Sequence, residues 1–303
     1  MTLVSLCSLK GAPGVTTLAC LLGAAWPGPG PIVLVEADPS GGDCAARFGL
    51  SARVGWTSLS AAARRSDEPV ATRPHLQDLP GGLPVLVAAR GDERRAATSV
   101  EGRALWSGVP ALPGGRTDDD DRLTIVDLGR LGRDDAVSDS WLAGADTALL
   151  VVRGDSASAV QARDRVARLD AVAGGRLGIV VVGGGYSGHD LEEFTGIRVL
   201  ARLPFDPAAA EVATGAAGSG RRLERSPLWA AVGRLAASLA ADPQSGPGPI
   251  GYSESDVQPV GVTVRRVRRA RGPSDSVRNP FRAALDRLGP TVRRAGDDRR
   301  VDA

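Results

Sequence analysis

The stretch Leu3-Val-Ser-Leu-Cys7-Ser8-Leu9-Lys10-Gly11-Ala12-Pro13-Gly14-Val15-Thr16-Thr17 decides the fold. It opens as an apolar strand pattern, turns at a Gly/Pro cluster and runs into Leu18-Ala-Cys-Leu-Leu22-Gly-Ala-Ala25, a helical pattern. A strand that ends in a glycine turn lets backbone N–H groups converge. The first turn of the following helix adds its own unpaired N–H groups and the positive end of its dipole. The natural occupant is an anion, so the stretch reads as a phosphate-binding loop. Lys10 is the only lysine among 37 basic residues, which sets it apart at the entrance to the turn.

Outward from the loop, the pattern is that of alternating strands and helices. Pro27-Gly-Pro-Gly-Pro31 makes a rigid turn, and Ile32-Val-Leu-Val35 is a continuous apolar run that ends in Glu36-Ala37-Asp38-Pro39. Apolar runs of this length suit buried parallel strands, whose carboxyl ends carry the ligands of open α/β sheets. Arg122-Leu-Thr-Ile-Val126-Asp127-Leu-Gly129 is a second such strand with an acid at its end. Further strands are expected over 81–89, 145–152, 177–182 and 197–203. Helices are expected over 56–65, 97–106, 156–173 (apolar face Val160, Val166, Leu169, Val172) and 228–240. The sum is a doubly wound, mostly parallel sheet with helices on both faces.

Three landmarks of this chain resemble the ParA/MinD group of P-loop ATPases. Lys10-Gly-Ala-Pro-Gly-Val-Thr-Thr17 is similar to that group's deviant Walker A pattern, KGGVGKTT. Glu36-Ala-Asp38-Pro-Ser-Gly-Gly-Asp43-Cys-Ala-Ala-Arg-Phe-Gly49-Leu50 is similar to its DxDxxxGDxAxxLGL stretch, and the strand ending at Asp127 is similar to its Walker B strand. The likeness extends over about residues 1–241. It implies ATP or ADP with Mg2+ as cofactors and a homodimer as the working form. It also implies site residues. Lys10 reaches the partner's phosphates. Gly11, Ala12, Pro13, Gly14, Val15, Thr16 and Thr17 cradle phosphate through the loop. Thr16, Asp127 and Asp38 serve the metal, and Asp38 also orients water. The turn Pro204-Phe-Asp-Pro207 packs near the base.

Two departures shape the expected function. The ordinary Walker lysine falls on Val15, which carries no charge for phosphate, and the strand over 177–182 is followed by Gly183-Gly-Gly-Tyr186, with no base-reading asparagine. Tyr186 is either an exposed loop residue or a stacking surface for a base. Variation at the Val15 position resembles the CpaE/TadZ-like branch of pilus and secretion loci, whose loops often read KGGVGTTT. The expectation is a protein that positions or organises a larger machine, with weak or no ATP hydrolysis. The alternatives are an active ParA-like partitioning ATPase and a nucleotide-blind dimeric scaffold.

Composition narrows the classes. Cys7, Cys20 and Cys44 show no CxxC spacing and read as core residues of a reducing compartment. The histidines, His75 and His189, have no metal-ligand or nucleophile signature around them, and GxGxxG is absent. No signal-peptide pattern opens the chain, and no apolar run approaches the ~18 residues of a membrane span. The protein is expected in the cytoplasm, with any contact at the inner membrane peripheral. Asp118 to Asp121 read as a solvated acidic loop.

Residues 1–242 are expected to form the P-loop domain, and 243–303 a Pro/Gly linker and basic disordered tail. The tail carries twelve arginines against seven acids, a net of +5, which leaves the first 242 residues at −3. Its cluster Val262-Thr-Val-Arg-Arg-Val-Arg-Arg-Ala-Arg271 and the amphipathic stretch 279–288 suit a membrane surface, nucleic acid or an acidic partner protein.

Overall fold

The computed structural model describes residues 2–10, 13–65, 70–89, 123–132, 136–215 and 220–241. The helix expected over 97–106, the acidic loop 118–121, the tail 243–303, and Gly11 and Ala12 lie outside the described residues.

Eight strands form one sheet: β1 (Thr2–Ser8), β2 (Ile32–Glu36), β3 (Gln77–Asp78), β4 (Pro84–Leu86), β5 (Leu123–Arg130), β6 (Thr147–Arg153), β7 (Leu177–Val182) and β8 (Val199–Leu203). Their order is β3-β4-β2-β5-β1-β6-β7-β8. Only the short edge pair β3/β4 is antiparallel; every other pairing is parallel. Strands β2 to β5 lie on one side of β1 and β6 to β8 on the other. This puts the loop after β1 at the point where the winding reverses, the place where open α/β sheets bind ligands.

The strands are apolar on both faces because both faces are covered. Val4 and Leu6 of β1, Leu123 and Ile125 of β5, and Leu149 and Val151 of β6 point into one core, with α1 (Val15–Ala25) on it. Their alternates Cys7, Val126, Leu128, Leu150 and Val152 point into the other core. There they meet Trp56 and Leu59 of α3 (Trp56–Ala63), which follows the short α2 (Cys44–Phe48), and Trp141 and Leu142 of α4 (Ala136–Gly144). Past α4 the helices are α5 (Ser156–Val172), α6 (Gly188–Thr195), α7 (Pro207–Ala213), α8 (Gly220–Glu224) and α9 (Pro227–Ala241). α9 packs against α1 and buries Leu228, Val232, Leu235 and Leu239, as its spacing predicts.

Two expectations need correction. The strand expected over 81–89 is only Pro84–Leu86, because Gly81 and Gly82 both adopt left-handed backbone and form the turn from β3. In α5, Val160 is 48% exposed and off the apolar face. The buried row is Ala159, Ala162, Val166 and Leu169, an unbroken i, i+3, i+4 set from which Val160 is displaced by one residue, about 100° around the helix.

Candidate functional site

The site lies at the carboxyl ends of three adjacent strands, β2, β5 and β1. Gly14 caps α1 with φ 100° and accepts the Leu18 N–H at 2.8 Å. A residue with a side chain is strained in that left-handed backbone. No side chain caps α1, and no acid sits in its first turn. Its first turn therefore has no acid of its own to compete for the leading N–H groups. Lys10 is exposed and Pro13 is buried.

Val15 is 6% exposed and belongs to the core on the α1 face. Val15, where the sequence resemblance would put a phosphate-binding cation, is a packing position. Thr16 and Thr17 are half-buried on the loop side of the helix.

Asp127 ends the central run of β5 and is 1% exposed. Its Oδ1 accepts the Gly129 N–H at 2.9 Å, and its Oδ2, also buried, has no hydrogen-bond partner among the described residues. Burial pushes its carboxyl up to about 7, with Glu36 and Asp38 adding repulsion; the Thr16 hydroxyl beside it and the Gly129 N–H oppose the rise. An orphaned buried carboxylate oxygen carries a desolvation cost that a cation would relieve.

Asp38 is brought to the same place by backbone packing. The Ala37 N–H donates to the Asp127 carbonyl at 2.8 Å, which ties the chain leaving β2 to β5. Asp38 Oδ1 accepts the Ser40 N–H at 2.6 Å. Gly129, at φ 54°, leaves room for the other oxygen: a Cβ there would fall 1.9 Å from Asp38 Oδ2. Lys10 after β1, Thr16 at the start of α1, and Asp38 and Asp127 at the ends of the neighbouring strands thus share the carboxyl end of the sheet.

Glu36 plays a different part from the acids beside it. It is 1% exposed, its Oε1 accepts the Cys44 N–H at 2.8 Å, and its Oε2 accepts the Ala88 N–H at 2.9 Å. It is a buried strut that joins the ends of β2 and β4 to the start of α2, and both its oxygens are used. Sequence patterns alone do not distinguish it from a metal acid; the glycine at 42 is the signal, since a Cβ there would lie 1.9 Å from the Glu36 carboxyl carbon.

Beside the loop is a cavity of about 180 Å³, lined by Gly14, Thr17 and Leu21 on α1, Val182 at the end of β7, and Pro204, Phe205 and Asp206 after β8. The Asp206 carboxylate caps α7 by accepting the Ala209 N–H at 3.0 Å, so it is already engaged. Tyr186 is exposed and does not line this cavity. The Gly183–Gly185 turn is pressed against the end of β6: the Tyr186 N–H donates to the Gly154 carbonyl at 2.9 Å, and a Cβ on Gly185 would fall 1.9 Å from that oxygen.

The three cysteines are free and buried, and burial pushes the Cys7 thiol up to about 12. Ser58 Oγ lies 2.8 Å from His75 Nδ1, yet that hydroxyl is held by both the N–H and the carbonyl of Gly55 as part of the start of α3. No group of three or more His, Cys, Asp or Glu side chains among the described residues forms a metal cluster by itself. A cation at Asp127 would therefore need oxygens besides those of nearby acids such as Asp38, from the Thr16 hydroxyl and a ligand.

The eight-stranded, mostly parallel sheet with helices on both faces has the fold of MinD and ParA. Solved structures similar to this chain are MinD/ParA-family ATPases. The cell division ATPase MinD of Pyrococcus furiosus is 20% identical, with a TM-score of 0.59 over 78% of this chain and 97% of that one. A ParA family ATPase of Chlorobium tepidum is 16% identical, with a TM-score of 0.59 over 78% and 98%. An ATP complex of a Cyanothece McdA variant is 14% identical, with a TM-score of 0.56 over 77% and 95%. No family model matches the sequence, and no curated protein sequence matches it.

Proposed function

We propose that this chain is a nucleotide-dependent positioning protein of the CpaE/TadZ kind. It binds ATP with Mg2+ at the β1 loop, pairs with a second copy and places a larger assembly, such as a pilus or secretion machine, through a protein partner. The observation that carries the nucleotide reading is the buried Asp127 Oδ2, which has no hydrogen-bond partner among the described residues and lies near the Thr16 hydroxyl at the start of α1. Thr16 and Asp127, with Asp38 nearby, suit a magnesium ion. When bound, that ion supplies neutralisation of phosphate charge. Thr17 and the loop amides suit phosphate, and the cavity beside Pro204 has room for a base.

Slow or absent hydrolysis follows from Val15. A cation aimed at transferring phosphate is worth several kcal/mol in a closed site, and a buried valine supplies none of it. Binding through amides and the metal pair survives this loss, so a switch that holds ATP for long periods is the expected behaviour. Asp38 orients water for whatever turnover remains.

Light scattering with and without Mg–ATP, on wild type and Lys10→Ala, tests the switch. ATP-driven pairing that Lys10→Ala abolishes supports it; a dimer indifferent to nucleotide would leave only a scaffold. One observation favours a second reading. The net charge of +5 in residues 243–303 suits nucleic acid, as expected of a ParA-like partitioning protein. A fluorescent fusion separates the two in cells: discrete foci support the positioning of a machine, and a nucleoid coat lost on removing 243–303 supports partition.

A further inference from the structure

If the loop cradles a polyphosphate, Val15 leaves a shortfall of positive charge, and the rim of the site holds a residue placed to supply it. β1 and β6 are parallel, with Cys7 level with Leu150. Lys10 follows the end of β1 and Arg153 ends β6, and both cations act on the Asp155 carboxylate. The Arg153 guanidinium carbon sits 5.4 Å from the centre of the Phe205 ring, within cation–π range. Phe205 is 62% exposed and forms the lip of the cavity beside Thr17.

What Arg153 does there is not explained by its other contact. Its Nε is 3.6 Å from Asp155 Oδ2, longer than a hydrogen bond, and both side chains are about half exposed. Such a pair is worth little. The other oxygen of Asp155 is committed to the Ser158 N–H at 2.8 Å, which caps α5. The Ser158 N–H, together with Arg153 and Lys10, holds the Asp155 carboxyl below its ordinary range. One carboxylate thus faces two cations. The guanidinium is seated on the ring that forms the lip and is only loosely engaged with the acid.

We propose that Arg153 is a ligand-binding residue: it swings from Asp155 to the phosphate chain of a nucleotide whose base fills the cavity behind Phe205, and supplies the charge that Val15 lacks. This rests on the nucleotide reading of the β1 loop. A guanidinium suits the role because its planar fork grips phosphate oxygens in pairs while its face stays on the aromatic ring. The Gly154–Gly185 backbone contact holds the end of β6 against the next loop, so the arginine departs from a fixed base.

The test is calorimetric titration of Mg–ATP into wild type, Arg153→Ala and Arg153→Lys at low and high KCl. Arg153 is half exposed, so both variants are expected to melt with wild type. Arg153→Ala is expected to bind ATP about tenfold more weakly at low salt, the scale of one charge-assisted contact. The deficit is expected to shrink as salt screens it, and Arg153→Lys, which keeps the charge but not the fork or the stacking face, is expected to recover part of the affinity. Arg153→Ala affinity within twofold of a wild type that does bind ATP overturns the proposal and leaves the nucleotide reading standing. A deficit that is independent of salt and not rescued by lysine also overturns it, since Arg153 would then act only by packing Phe205. Wild type that binds no ATP at millimolar concentration overturns the nucleotide reading itself, and this inference with it.

Discussion

Glu36 is the residue whose replacement most sharply separates structure from chemistry at this edge of the sheet. Its two oxygens accept the Cys44 and Ala88 N–H groups inside the fold. Glutamine keeps the shape but can accept at only one of these places; at the other, its own N–H₂ faces a backbone N–H. The change loses one charge-assisted hydrogen bond and strands a buried donor, each worth about 1–3 kcal/mol, and regains part of the cost of burying a charge. The expected net loss for Glu36→Gln is about 2–4 kcal/mol. At roughly 2–4 °C per kcal/mol for a domain of this size, melting should fall by about 5 °C or more. Gly42 supplies the internal control, since a Cβ there would run into the Glu36 carboxyl. Gly42→Ala should cost about as much, and Glu36→Asp, a methylene shorter, should make room for it. In a double-mutant cycle followed by urea unfolding, Glu36→Asp/Gly42→Ala should lose at least about 1 kcal/mol less than the sum of its parts. Glu36→Gln within about 0.5 kcal/mol of wild type, or additive Glu36 and Gly42 effects, would refute the strut.

Gly129→Ala places a side chain at φ 54° against Asp38, and should cost about 1–3 kcal/mol in thermal unfolding and displace Asp38. Val15→Lys buries a charge at a position only 6% exposed; the free protein should melt lower, and Mg–ATP should raise its melting temperature by more than it raises that of wild type, as read by calorimetric scans. The raised Asp127 carboxyl, about 7 against an ordinary 3.8, gives a signed pH dependence. Protonation is favoured in the fold, so the stability it contributes is complete below 3.8 and is lost as pH rises through about 7. Without metal, Asp127→Asn should therefore gain on wild type between pH 5 and pH 8 in melting experiments.

The parts of the site that were legible in the sequence are those in which one residue type does one thing at a chain reversal. The glycine turn before α1 announces itself through Gly14, and Asp127 stands at the end of a mostly apolar run, Leu123-Thr-Ile-Val126, that suits an interior strand. The expected doubly wound sheet is present, since continuous Val/Leu/Ile runs suit strands covered on both faces. What could not be read depends on distances between segments remote in sequence. Asp38 and Gly129 are 91 positions apart, and only the missing Cβ lets them meet. Glu36 and Asp38 look equivalent as strand-end acids, yet one is locked between two backbone N–H groups and the other sits in a turn at the site. The packing face of α5 begins with Ala159 and Ala162, whose small side chains give a weaker apolar signal in the sequence than the exposed Val160.

The most direct test of the central claim, that Thr16 and Asp127 hold a metal beneath a bound nucleotide, is the affinity for ATP with and without Mg2+ in wild type and Asp127→Asn. The expected result is ATP binding by wild type that Mg2+ tightens at least tenfold, and binding by Asp127→Asn that is weak and indifferent to Mg2+. Equal Mg2+ dependence in the two proteins, or no ATP binding by either, would contradict it.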